Sequence, residues 1–310
     1  MRIRVILLSL TIFATLGLTP GAAAGQESGL SFLELGVDAA AAGMGDAHVA
    51  IADGAFSTFW NPAGLAHTGS NEAALSHHIW VGDLRTYALA GRFRSGKNSG
   101  VGLAFTATSS GDLELRERPG PSEGNFEVQY LSIGASFGRR IGPARIGATG
   151  RYISEEIFTE SASGYGIDFG AQMDVLGDAV QVGGAVHNIG KMNELNSVAT
   201  KLPTTARIGI AVQPFQVLAL EDDFTVVNAT IVAELSHLFP DDRSRVHVGL
   251  AVDALDMLTF RAGFITNDAL RNGTFGLGLH YGLLVFDYAL VLFDSGFAGP
   301  GHILTLSYAW

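Results

Sequence analysis

Apolar residues recur at every second position through short runs that begin near Asn71 and continue to the C-terminus. Tyr165, Ile167, Phe169, Ala171, Met173 and Val175 alternate with Gly166, Asp168, Gly170, Gln172 and Asp174. Val246, Val248, Leu250 and Val252 alternate with His247, Gly249, Ala251 and Asp253, and Ile146, Ala148 and Tyr152 with Arg145, Gly147, Thr149 and Arg151. In the last run His302, Leu304, Leu306, Tyr308 and Trp310 share one face, while Ile303, Thr305, Ser307 and Ala309 share the other. A period of two is the signature of a strand with unlike faces. Here the second face is too small and too polar for a dry sandwich core, which predicts a hydrated lumen with the apolar face turned to lipid.

About fourteen such segments can be counted, each around ten residues long, as a tilted membrane strand requires. They begin near Glu72, Thr86, Gly100, Phe126, Ala144, Gly164, Val180, Thr204, Phe224, Arg245, Leu258, Thr274, Leu284 and His302. The apolar parity changes at Tyr130-Leu131, which predicts a β-bulge there. Connections alternate in length. Those at 95–99, 140–143, 176–179, 254–257 and 282–283 are short, whereas 110–125, 156–163, 189–203, 236–244, 266–272 and 294–300 are longer. The tight 82–83 and the longer 214–223 break the rule. Short turns on one rim and long loops on the other are what an outer-membrane barrel shows. The prediction is an all-β chain, a transmembrane antiparallel β-barrel of about fourteen strands. The terminal aromatics Tyr308 and Trp310 read as its C-terminal signal to the outer-membrane assembly machinery, with the indole at the bilayer interface.

Residues 1–24 read as an export signal: Arg2 and Arg4, an apolar run from Val5 to Leu18, then Ala22-Ala23-Ala24 before a cleavage point. There is no Cys, which excludes disulfides, thiolate metal sites and a cysteine nucleophile. Charged residues make up 16% of the chain, against roughly 25% in a typical soluble domain, and mean hydropathy is +0.28. The 40 Gly residues against 9 Pro fit a crowded barrel interior. A net charge of −11, with no basic face, argues against a nucleic-acid partner.

Residues 25–66 differ from the barrel that follows at 67–310. They are rich in Ala and Gly and lack strand alternation. Phe32, Leu33, Leu35, Val37, Phe56, Phe59 and Trp60 are too apolar for a linker, so a plug or hatch packed on the barrel wall is predicted, with a helical turn between Ala39 and Met44.

The hatch also carries a resemblance. Ser31-Phe32-Leu33-Glu34-Leu35-Gly36-Val37, Ala42-Gly43-Met44-Gly45-Asp46-Ala47, Val49-Ala50-Ile51-Ala52-Asp53 and Trp60-Asn61-Pro62-Ala63-Gly64-Leu65 together resemble the N-terminal signature of PorV/PorQ proteins, within the wider FadL-like barrels. Two positions depart from that pattern: Ala40 stands where an Arg is usual, and Gly54 where a second acid follows Asp53. The resemblance implies an outer-membrane barrel with an N-terminal hatch. For PorV-like proteins it implies type IX secretion, with cargo domains meeting the outer loops at 110–125 and 189–203. For FadL-like proteins it implies passage of a hydrophobic ligand. Besides membrane lipid, cargo or that ligand is the expected partner; no cofactor and no catalysis are expected.

Other motifs are weaker. Gly134-Ala135-Ser136-Phe137-Gly138 matches a hydrolase nucleophile elbow, yet it lies inside an alternating strand rather than a strand-to-helix turn. His77 and His78 are adjacent on a strand and cannot chelate together. His187, His247, His280 and His302 are scattered singly, and Glu221-Asp222-Asp223 and Asp241-Asp242 lack an EF-hand pattern. Arg145 and Arg151 face inward, where pairing with Asp168 and Asp174 is expected in preference to a carboxylate ligand.

Overall fold

A two-faced strand leaves backbone groups unpaired at its edges, and in hydrocarbon those edges must meet. Fourteen strands close into one antiparallel barrel. In this computed structural model, residues 28–310 are described apart from 68, 81–83, 112, 117, 119, 178, 219–226, 256, 269 and 294–298. The expected export signal, the 82–83 connection and the Glu221-Asp222-Asp223 cluster lie outside the described residues.

The wall begins with β1 (Glu72–Ile79), β2 (Arg85–Arg94), β3 (Ser99–Ser109), β4 (Val128–Ile141) and β5 (Ala144–Ile157). It continues through β6 (Glu160–Asp174), β7 (Val180–Met192), β8 (Thr205–Val212), β9 (Val227–Leu238) and β10 (Arg243–Ala254). It ends with β11 (Leu258–Ile265), β12 (Arg271–Tyr281), β13 (Leu284–Phe293) and β14 (Gly301–Ala309). Each strand pairs with its chain neighbour, and β1 also pairs with β14, from Glu72↔Ala309 to Ile79↔His302. Leu103, Ile133, Phe169, Phe260, Phe275 and Leu306 are among the large apolar side chains left exposed on the outer face. That surface is suited to hydrocarbon, while Thr, Ser, Asp, Arg and His populate the inner face. At one rim Trp310 stacks on Tyr308 with ring centroids 5.8 Å apart and meets Phe93 edge-on.

Three expectations are corrected. No bulge occurs at Tyr130-Leu131: β4 pairs without interruption on both sides. Tyr130 broke the apolar parity because it points inward and stacks on Phe32 of the hatch, with centroids 5.0 Å apart. Register shifts lie instead between Ile167 and Phe169 and between Arg271 and Thr274. Two of the expected long loops are tight, since β5 and β6 extend to a turn at 158–159 and β9 to β10 turns at 239–242.

The lumen holds residues 28–66. This hatch has a 3-10 turn (Ser31–Glu34), α1 (Ala39–Ala42), α2 (Ser57–Trp60) and a second 3-10 turn (Pro62–Ala66). Asp38 caps α1 by accepting from Ala41 N at 3.0 Å, and its other oxygen accepts from Trp60 Nε1 at 2.6 Å. The carboxylate thus ties the two helical turns together.

Candidate functional site

The hatch presses its backbone directly against the wall at several points. Inward positions on the wall are glycine where the hatch presses closest. A Cβ on Gly249 would stand 2.7 Å from Met44 O, and one on Gly138 2.7 Å from Pro62 O. At Gly147, Gly170, Gly183 and Gly263 it would overlap Pro62, Asn61, Val49 and Gly45 outright. On the hatch side Gly45 adopts φ +67°, a left-handed conformation that favours glycine, and a Cβ there would stand 2.8 Å from Phe264 N.

Polar bonds fix this packing. Asn61 is fully buried and its Nδ2 donates to Val49 O (2.8 Å), Ala171 O (3.0 Å) and Gly184 O (3.3 Å). One amide therefore joins two hatch segments to β6 and β7. Its Oδ1 accepts from Ala63 N at 3.2 Å, which sets the turn that Pro62 opens and that Ala63 and Gly64 continue. Residues 28–66 contain Glu34, Asp38, Asp46 and Asp53 but no Lys or Arg. Wall arginines supply the opposite charge. Arg271 donates to Asp46 at 2.8 Å, and Arg245 to Glu34 at 3.1 Å. Arg207 Nη1 donates to Glu234 at 2.5 Å and to Asp46 O at 3.1 Å. Glu234 in turn accepts both His48 N and Val49 N at 2.8 Å. Buried charges of this kind are tolerable only when compensated.

Two cavities flank the hatch. Toward the rim with the tight turns is a vestibule of about 550 Å³, lined by Asp38, Asp53, Gln172, Asp253, Arg261 and Asp287 among others. Asp53 is exposed into it. Gly54 beside it has no room for an acidic side chain, because the Glu72 carboxylate already lies against it. Toward the other rim is a small, partly open pocket of about 50 Å³. The hatch lines it with Phe32, Leu33, Leu35, Val37, Phe59 and Trp60 and with one acidic residue, Glu34, and the wall with Thr106, Arg151, His187, Asn188, Arg207 and Arg245 among others. An apolar floor facing a polar wall is the arrangement of a ligand pocket. The Arg207 guanidinium lies 5.1 Å from the Trp60 ring centroid.

Of the residues singled out from sequence, Phe32, Leu33 and Trp60 meet at this pocket. Gly43, Met44 and Gly45 form the hatch edge against β10–β12, and Asn61 to Gly64 the edge against β4–β7. Tyr308 and Trp310 belong to neither edge and are exposed on the outer face. Arg145 pairs bidentately with Asp174 at 2.8 and 2.9 Å, and Arg151 pairs with Asp168. Ser136 lies mid-strand, bonded to Thr149 Oγ1 at 2.8 Å, and makes no elbow. His78 points inward to Val37 O at 3.0 Å, while His77 stacks on Tyr87. Asp241 accepts from Ser28 N at 2.8 Å. Thr106, His187, Asn188, Arg207 and Arg245 were not marked as a site by sequence, because four different strands contribute them. The adjacent polar pair His187-Asn188 within a strand was the available signal.

No family model matches this chain, and no curated protein does. Among solved structures, the chain is similar to the Ralstonia pickettii toluene transporter TbuX (TM-score 0.61, 12% identity, covering 89% of this chain and 98% of that one). It is similar to the Pseudomonas putida toluene transporter TodX (TM-score 0.60, 11% identity, 88% and 96% covered). A Pseudomonas aeruginosa FadL homologue gives a TM-score of 0.51 at 12% identity, with 88% and 98% covered. At these identities the likeness is one of fold: the chain has the architecture of FadL-like outer-membrane barrels. The PorV/PorQ resemblance stays confined to the hatch motif.

Proposed function

We propose that this barrel passes small hydrophobic solutes across the outer membrane, with residues 28–66 closing the path between passages. The observation that carries this reading is the pocket whose floor is Phe32, Leu33, Leu35, Val37, Phe59 and Trp60. A water-filled pore has no use for an apolar floor at mid-lumen, whereas a greasy solute leaving water gains about 25 cal/mol per Å² of apolar surface it buries there. The fold shared with two toluene transporters supports it. Short turns mark the periplasmic rim of such barrels, so the polar vestibule beneath the hatch is the exit. At about 50 Å³ the pocket is well below the roughly 150 Å³ of a cavity that admits benzene, so an aromatic ring enters only as the segment around Phe32 to Leu35 yields. The type IX secretion role and its cargo partners rest on the hatch motif alone.

The test is uptake of radiolabelled toluene by cells that display the protein. Faster uptake than in cells without it is expected, with the gain lost in Leu35→Trp, which fills the pocket. Equal uptake with and without a correctly folded barrel would sink the proposal.

A further inference from the structure

Strand β7 buries two consecutive side chains, His187 and Asn188. An unbroken strand cannot do so, because its neighbours point to opposite faces. The cause is a β-bulge. Pairing with β6 runs as far as Ile167↔Ile189 and resumes at Phe169↔Val186, which leaves His187 and Asn188 opposite Asp168. Asn188 has φ 57°; its N–H donates to Asp168 Oδ1 at 2.7 Å and its Nδ2 to Pro203 O at 3.1 Å. Those bonds hold the side chain while its carbonyl oxygen, Oδ1, has no partner. His187 Nε2 and Thr106 Oγ1 are likewise buried without a partner, as are Glu34 Oε1, Arg151 Nε and Arg245 Nε, and all six residues line the hatch pocket. Bulges re-aim side chains next to functional sites, and this one aims two polar groups at an apolar floor.

We propose that the bulge is a headgroup subsite, selecting hydrophobic solutes that carry one neutral hydrogen-bonding group, such as an alcohol or a phenol. This rests on the transport reading above and narrows it. Asn188 Oδ1 is an acceptor and needs a donor, which a hydroxyl supplies and a carboxylate does not. A hydroxyl can also give to or take from His187 Nε2 and Thr106 Oγ1. Each guanidinium around the pocket already faces a carboxylate, Arg151 with Asp168, Arg207 with Glu234, and Arg245 with Glu34 and Asp268, so that among their buried nitrogens only Arg151 Nε and Arg245 Nε lack a hydrogen bond. An anionic ligand would have to displace a buried partner. A bare hydrocarbon would leave these polar atoms desolvated and unsatisfied.

The experiment titrates the detergent-solubilised barrel with benzyl alcohol, toluene and benzoate, following tryptophan fluorescence and calorimetric heat. The parent is compared with Asn188→Gly, which suits the left-handed backbone, and with the near-isosteric Thr106→Val; gel migration with and without boiling checks the fold of each. Benzyl alcohol should bind about tenfold more tightly than toluene or benzoate. Both variants should bring it down to the toluene level and leave toluene unchanged. Equal binding of toluene and benzyl alcohol, unmoved by either variant, overturns the subsite and leaves the transport reading standing. Tightest binding of benzoate also overturns it. Binding of none of the three removes the subsite and the transport reading together.

Discussion

Gly147 of β5 lies so close to Pro62 of the hatch that a single methyl group on the glycine would overlap the proline carbonyl. The obstacle is backbone on both sides, so no rotamer change relieves it. Gly147→Ala should therefore destabilise the folded barrel by about 1–3 kcal/mol through overpacking. Gly150→Ala, three residues along on the outer face with nothing within 4 Å, should change little. Urea titration of the two variants in the same lipid vesicles compares them directly; equal midpoints would contradict hatch docking at β5.

Glu234 is the hatch's main anchor on β9. Removing it strands the Arg207 charge and the His48 and Val49 N–H groups together. Loss of one partner from a buried pair costs about 3–5 kcal/mol, and the cost should fall on the hatch rather than the wall. Glu234→Ala should keep its barrel migration on gels yet become sensitive to chymotrypsin at Phe56, Phe59 and Trp60. Trypsin is uninformative, because residues 28–66 offer it no Lys or Arg.

Asp268, in the loop between β11 and β12, sets an acid limit. Burial raises its pKa, but Arg271 and Arg245 outweigh that and hold it down at about 2. In the unfolded chain an aspartate titrates near 3.9. The folded value is the lower one, so its stabilisation is fully present above about pH 4 and is lost as pH falls through about 2. Asp268→Asn should flatten the pH dependence of unfolding in that window and lower stability at neutral pH. An unchanged acid profile would contradict the assignment.

Ile133 tests the outer face. It is about half exposed, opposite Phe105 on β3 and Tyr152 on β5. Ile133→Arg should cost about 2–4 kcal/mol when the barrel folds into a bilayer, the penalty for a charge near the hydrocarbon midplane. A variant that folds as well as the parent, and without lipid, would show that water covers this face.

The wall was legible because alternation is local. All fourteen strand starts fall within four residues of where the period-2 pattern put them, and Arg145 and Arg151 found the carboxylates that parity assigned to the next strand. Where parity failed, the cause lay elsewhere in the chain. Tyr130 faces inward because Phe32 is there to stack on it, a contact no window of β4 residues contains. The bulge at His187-Asn188 was hidden for the converse reason: two polar residues in sequence look like any solvated strand until Asp168 is seen beneath them. The abundance of glycine was visible, but which glycines receive the hatch depends on closing the barrel around it.

The hatch is held at both ends. Gly29 N donates to Lys201 O at 3.0 Å and Ser28 to Asp241 at the loop rim, while the far end runs directly into β1. A stopper fastened in this way cannot swing aside or be expelled like a cork. On the proposed transport reading, clearance for a solute comes from slack created within the segment itself, and the rate of passage follows how often a few central turns come undone and re-form in place.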